Sequence, residues 1–212
     1  MLPKKVKAEI VMWVMRRRVY HYALKHVIPY IRFSTYYTSL RGWKYQVGYA
    51  LLQPGDFILT IDKKKLTTFL IPGEFSHAAF CRSKGSDGDW EISEMTHSDF
   101  TKSYFFDICK ESDRVVICRC PDWDGEYLDK MIERDMSFSD QPYDNMFDLK
   151  SDALSCSEHI YKLDPENRLK VSTADVIGIG SQYVSPTGLW NAENKIVVWD
   201  SDDCDPPLYF PN

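Results

Sequence analysis

Acidic residues are nearly absent from the first 50 positions of this 212-residue chain. Glu9 stands alone there against ten Lys and Arg (Lys4, Lys5, Lys7, Arg16, Arg17, Arg18, Lys25, Arg32, Arg41 and Lys44), although the whole chain carries −5. The remainder is correspondingly acidic. Such a split suits a basic segment that meets an anionic surface, or one that docks on the acidic body of its own chain. Long apolar runs are missing as well. Ile10 to Met15 spans six residues and is followed at once by Arg16-Arg17-Arg18. That is too short for a secretory signal and far too short to cross a membrane. There is no C-x-x-C pair, and Cys118-x-Cys120 has the wrong spacing for a zinc knuckle. The six cysteines (81, 109, 118, 120, 156 and 204) are therefore expected as reduced thiols in a cytoplasm-like compartment. No metal or other cofactor is expected. No nucleic-acid-binding motif accompanies the basic segment, so specific nucleic-acid recognition is not expected either.

What is present is an ordinary globular composition, 44% hydrophobic and 27% charged, enough for one sizeable core. Residues 7–40 read as helical, with Pro29 ending or kinking the run. The character changes near position 50, dividing the chain into a basic helical extension, 1–48, and a main domain, 49–212. Pro54-Gly55-Asp56 reads as a turn into a buried strand, Phe57–Ile61. Ser76–Arg82 and Trp90–Thr96 read as a hairpin. Arg114–Cys120 is a further strand, with Val116, Cys118 and Cys120 on one face. Asp124–Met136 reads as a helix aligned on Leu128, Ile132 and Met136. A short helix follows from Cys156 to Leu163, and Ile196–Trp199 is a last strand. Antiparallel strands with separate helices make an α+β fold.

Ser155-Cys156-Ser157-Glu158 fits a capping box, with Ser155 as N-cap and Glu158 reaching back. Cys156 then opens the helix, where the dipole and unsatisfied N–H groups favour a thiolate, the nucleophilic form. The same N–H groups can hold an oxyanion. A nucleophilic cysteine needs an imidazole. His21 and His26 fall in the basic helical region. His97 follows a strand. His159 lies three residues beyond Cys156, leaving little room for substrate. His77, in Ser-His-Ala-Ala-Phe, starts a strand among small neighbours that let a second element approach. Strand alternation gives the third group. Trp90, Ile92 and Glu94 share one face, and a carboxylate among large apolar residues needs a partner. Glu94 is therefore the candidate to orient His77, with Glu91 as the alternative.

In order, Pro54-Gly55-Asp56-Phe57-Ile58, Ser76-His77-Ala78-Ala79-Phe80, Glu94, Tyr143-Asp144-x-x-Phe147 and Cys156-Ser157-Glu158 resemble the YiiX-like branch of the NlpC-type cysteine peptidase superfamily. Val171-Ser172-Thr173-Ala174-Asp175 is similar to a later step of that family, with Ala174 where proline is common. The resemblance covers about residues 50–180. It implies a circularly permuted papain-like fold, an antiparallel sheet packed on the helix that carries the nucleophilic cysteine. It implies that Cys156 attacks an amide or ester carbonyl, that His77 is general base and then acid, and that Glu94 orients His77. The implied function is a thiol hydrolase cleaving a peptidoglycan-type γ-glutamyl peptide bond through an acyl-enzyme. Two alternatives stand beside it. One is a lipid-directed thiol hydrolase or acyltransferase, with the basic N-terminus as membrane contact. The other is a catalytically silent interaction protein, for instance of a virus or phage particle. Intact Cys, His and acid together weigh against silence. The implied partner is a peptide or amide substrate.

Overall fold

The computed structural model describes residues 18–31, 33, 40–69, 71, 73–145, 147–175 and 182–203. The first helix, α1, spans Arg18–His26 and is followed by a 3-10 turn at Ile28–Tyr30 that contains Pro29. The α-helix thus ends before the proline, which has no N–H to continue it. Residues 7–17 and most of 30–40 lie outside the described residues. A second helix, α2 (Trp43–Leu51), was not expected; it precedes the turn at Pro54.

One sheet organises the chain. Its strands are β1 (Phe57–Ile61), β2 (His77–Lys84), β3 (Trp90–Thr96), β4 (Asp99–Tyr104), β5 (Arg114–Arg119) and β8 (Ile196–Asp200), in the order β4-β3-β2-β1-β5-β8. Every neighbouring pair is antiparallel. Helices α3 (Phe105–Lys110), α4 (Gly125–Ser137), α5 (Cys156–Leu163) and α6 (Pro186–Trp190) are separate from the strands, and a two-residue pair β6 (Ala174–Asp175) and β7 (Gln182–Tyr183) lies outside the sheet. The architecture is therefore α+β, as the strand and helix patterning implied.

Alternation along the strands builds two cores. Phe57, Leu59, Ala78, Phe80, Val116 and Cys118 face α4, α5 and α6, packing on Met131, Ile160, Leu163 and Leu189. Ile58, Ala79, Cys81, Ile92, Val115 and Ile117 face the other way, with Trp199, Phe105 and Ile108, and Tyr45 and Val47 of α2 packed against them. Both sheet faces are covered, so the central strands read as nearly continuous apolar runs. Two glycines serve close approach. Gly48 lets α2 lie on Trp199, whose ring a Cβ would meet at 2.9 Å, and Gly55 combines φ +89° with Leu128 at 2.7 Å from a Cβ. Asp56 beside it is fully buried, and Arg119 of β5 clamps it with Nε at 2.6 Å and Nη2 at 2.9 Å.

Helix α4 departs from the expected register. Met131 and Asp135 are its buried residues, while Met136 is exposed and Leu128 and Ile132 are only partly buried. An aspartate lies in the buried stripe because β2 carries a bulge between Cys81 and Ser83. Arg82, at that bulge, meets Asp135 at 2.7 Å.

Candidate active site

Cys156 is the first residue of α5, and Ser155 is its N-cap. The capping box is closed in both directions: Ser155 N–H donates to Glu158 Oε2 at 2.8 Å, and Glu158 N–H donates to Ser155 Oγ at 3.4 Å. The first intrahelical bond runs from His159 N–H to Ser155 O. The N–H groups of Cys156 and Ser157 therefore precede the helical ladder and have no carbonyl of their own helix to bond. His77 is the first residue of β2, so the two residues meet where a helix and a strand both begin. The Cys156 thiol and its charge act on the His77 imidazole and raise it.

The far side of the ring is held by Glu94, with His77 Nε2 and Glu94 Oε2 separated by 2.6 Å. That leaves Nδ1 for the sulfur. Ser103 of β4 donates from Oγ to the other carboxylate oxygen, Oε1, at 2.6 Å. His77, Glu94 and Ser103 thus form one hydrogen-bonded chain, and Cys156 acts on its imidazole end. Burial alone would lower the His77 imidazole, but hydrogen bonds to Cys156 and Glu94, with the charges of both, outweigh it and push it up to about 10. Burial works the opposite way on Glu94, and its bonds to His77 and Ser103 overcome it, holding the carboxyl below its ordinary value. The remaining described thiols are different. Burial pushes Cys81 and Cys109 far up, Cys118 up to about 12 and Cys120 up to about 11.

The permuted papain-like amidase family, YaeF/YiiX, C92, matches residues 51–197. The chain belongs to that family. It is a papain-like cysteine hydrolase of the amidase type. The crystal structure of metalloprotein yiiX from Escherichia coli O157:H7 resembles it with a TM-score of 0.57 at 16% identity, over 68% of this chain and 95% of that one. At that identity the likeness is one of fold. Among curated proteins none matches the chain. Among the described residues no group of three or more His, Cys, Asp or Glu side chains is placed to hold a metal ion, and the metal named for yiiX is not carried over to this amidase.

Other residues singled out in the sequence find other partners. Glu91 lies off the site, with Arg82 Nη1 at 3.4 Å; alternation turns it away from Glu94. His159 is fully buried, 2.6 Å from Asp135 Oδ1, with its ring against Phe100 and Phe138. His97 contacts Tyr30 Oη at 3.2 Å. His26 packs beside Tyr22, and the side chain of His21 lies outside the described residues. The Tyr143-Asp144-x-x-Phe147 element runs parallel beside the approach to Cys156, with Asp144 N–H donating to Leu154 O at 3.0 Å. Asp144 Oδ2 folds the turn by accepting from Asp148 N–H at 2.7 Å. Burial, then the charges of Cys156, Glu158 and Asp144, push the Tyr143 phenol well up, so it is neutral beside the sulfur. Ser103 was not anticipated. It sits opposite Ile92 in the β3–β4 register, a pairing that no local sequence signal announces. The open groove lined by Tyr127, Met131, Arg134 and Leu163 lies at the opposite end of α5 from Cys156.

Proposed function

We propose that this amidase cleaves its amide by thiol acyl-transfer, with Cys156 as nucleophile, His77 as proton carrier and Glu94 as the group that orients His77. The observation that carries the reading is the hydrogen-bonded chain His77–Glu94–Ser103, with Cys156 at the head of α5 acting on the same imidazole. His77 takes the thiol proton, and an imidazolium facing the sulfur favours the thiolate. The thiolate attacks the carbonyl carbon. The developing oxyanion is received by the Cys156 and Ser157 N–H groups at the positive end of α5. His77 then gives its proton to the leaving amine as the C–N bond breaks. Water, activated by His77, attacks the thioester and releases the acid, so amide plus water becomes acid plus amine. Glu94 fixes the ring so that one nitrogen faces the sulfur throughout, and Ser103 fixes Glu94.

For the substrate we propose a peptide amide of the cell-wall γ-glutamyl type. Purified peptidoglycan digested with the wild-type chain should release peptide fragments with new free amino groups, read by mass spectrometry. Cys156→Ala and His77→Ala should release none while keeping the native circular dichroism spectrum. Release by Cys156→Ala would overturn the assignment of the nucleophile. One observation favours a second substrate class, an amide carried by a lipid: exposed apolar side chains gather at Tyr22 and Tyr30, on the segment that Lys25 ties to Asp99 of β4.

A further inference from the structure

Half of the exposed large apolar side chains among the described residues fall within one short stretch: Val19, Tyr22, Val27, Tyr30, Ile31 and Phe33. Val19 is 78% exposed, Tyr22 64%, Tyr30 68% and Phe33 62%. The segment docks on the body of its own chain, yet it leaves those side chains uncovered because it is tied down by other atoms. Lys25 Nζ pairs with Asp99 Oδ2 at 3.3 Å, Tyr30 Oη contacts His97 Nε2 at 3.2 Å, and Leu66 N–H donates to Ile31 O at 3.2 Å. Phe33 N–H donates to Lys64 O at 3.0 Å, which brings the run Lys63-Lys64-Lys65 alongside the apolar side chains. Lys63 is exposed, while Lys64 and Lys65 pair with Asp113 and Glu111.

The anchor also fixes where this surface lies. Asp99, the first residue of β4, accepts Lys25 on one oxygen and the Tyr143 N–H on the other at 3.0 Å, and Tyr143 bridges to Leu154, two residues before Cys156. The apolar surface therefore adjoins the candidate site.

Apolar and tyrosyl side chains standing in water beside lysines match a lipid interface, where rings enter the acyl boundary and ammonium groups meet anionic headgroups. No described helix is long and apolar enough to cross a membrane. We propose that α1 and the turn after it, with exposed Lys63 and the positive excess of the first 50 residues, form a docking surface for an anionic membrane that holds the mouth of the active site at the lipid interface. The proposal assumes nothing about which bond is cleaved. A single-stranded nucleic acid would answer the charge and could stack on the aromatic rings, but it gives the aliphatic Val19, Val27 and Ile31 no partner.

Co-sedimentation of the full chain with vesicles tests it. Vesicles of phosphatidylcholine carrying phosphatidylserine should pellet the protein, phosphatidylcholine alone should bind much more weakly, and added salt should release it. The triple variant Val19→Ser, Tyr22→Ser, Val27→Ser should weaken binding by about tenfold or more, with melting temperature and turnover of a small soluble amide unchanged. Lys63→Glu should weaken binding to the anionic vesicles alone. Equal binding to both vesicle types, no binding to either, or undiminished binding by the triple variant would each overturn the proposal. So would capture by single-stranded RNA that the triple variant retains in full, since charge alone would then account for the surface. A dead enzyme that still sediments would count against the hydrolase assignments and leave this one standing.

Discussion

Replacing Glu94 by Gln keeps the shape of the group that holds His77 and removes its charge. The carboxylate lies 2.6 Å from Nε2, and its hydrogen bond and charge are among the causes that push His77 up to about 10. Losing an opposite charge at that distance lowers the imidazolium by about 1–3 pH units. The sign follows from which form the pair favours: the wild-type ring keeps its proton until pH approaches 10, and the variant gives it up earlier. If the variant ring titrates near 8, the protonated fraction at pH 9 falls from about nine-tenths to about one-tenth, roughly tenfold. At pH 7 the same shift costs about a tenth of the imidazolium, so the neutral-pH loss through protonation is small. Activity should therefore keep its acid side and lose its alkaline side.

Two measurements read this. The alkaline limb of kcat/KM on a soluble amide should move down in Glu94→Gln, and a histidine ¹⁵N titration, with His77 assigned by deletion, should show the ring moving with it. An alkaline limb that stays in place would refute the claim that Glu94 sets the charge of His77. The same linkage bears on the fold. His77, raised from 6.5, adds stability that is full below 6.5 and is lost as pH rises through about 10. Glu94, lowered from 4.5, adds stability that is full above 4.5 and is lost as pH falls through its folded value. The pair contributes fully between 4.5 and 6.5.

Cys156 should be the first thiol alkylated by sub-stoichiometric iodoacetamide at neutral pH, because Cys81, Cys109, Cys118 and Cys120 are all pushed up by burial; peptide mapping that finds one of those four ahead of it would contradict the assignment. Glu158, fully buried at the head of α5, is pushed up from 4.5 to about 6 chiefly by burial. Its ionised form is thus a cost to the fold that is full above about 6 and relieved as pH falls through 4.5. The Glu158 contribution to unfolding free energy, read by urea unfolding of wild type against Glu158→Gln, should therefore become less unfavourable by about 2 kcal/mol between pH 7 and pH 4.5, whatever constant offset the buried amide adds. Asp135→Ala strands His159 in the interior and leaves Arg82 only Glu91, at 3.4 Å, and should cost about 3–5 kcal/mol by the same measurement; a loss under 1 kcal/mol, the scale of an exposed pair, would show that the network is not dry.

Much of the candidate site was legible because its determinants are local. A capping box spans four residues, and it put Cys156 at the head of a helix. Strand alternation put Glu94 on the face of Trp90 and Ile92, whose burial the structure bears out. The omissions have a shared cause. Strand β4 reads Asp-Phe-Thr-Lys-Ser-Tyr and lies at the sheet edge, with no apolar alternation to announce it, so Ser103 depended on a pairing invisible in the chain. Helix α3 has six residues, too few for periodicity. The stripe of α4 was misplaced because its buried Asp135 breaks the apolar pattern, and the arginine that justifies it comes from a bulge more than 50 positions earlier. Local signals gave the parts that touch the backbone next to them; side chains satisfied from a distant element left no local trace.

That distant network bears on the chemistry. Asp135 accepts from Ser93 Oγ at 2.8 Å, meets Arg82 at 2.7 Å and lies 2.6 Å from His159. Arg82 and Ser93 belong to β2 and β3, the two strands that also carry His77 and Glu94. His159 belongs to α5, three residues along from Cys156. The helix that presents the thiol is therefore pinned to the strands that present its imidazole and carboxylate, through one carboxylate on α4. A buried ionic cluster is seldom the most stabilising way to fill a core. An apolar contact between α5 and the sheet would hold the helix against sliding less strictly, because dispersion and burial are nondirectional, whereas three contacts converging on one carboxylate fix both its distance and its rotation. Cys156 and His77 must meet to within a fraction of an ångström for proton transfer. The cluster is the part of this fold that can supply that tolerance, and the acidic residue in a buried stripe of α4 is its visible sign.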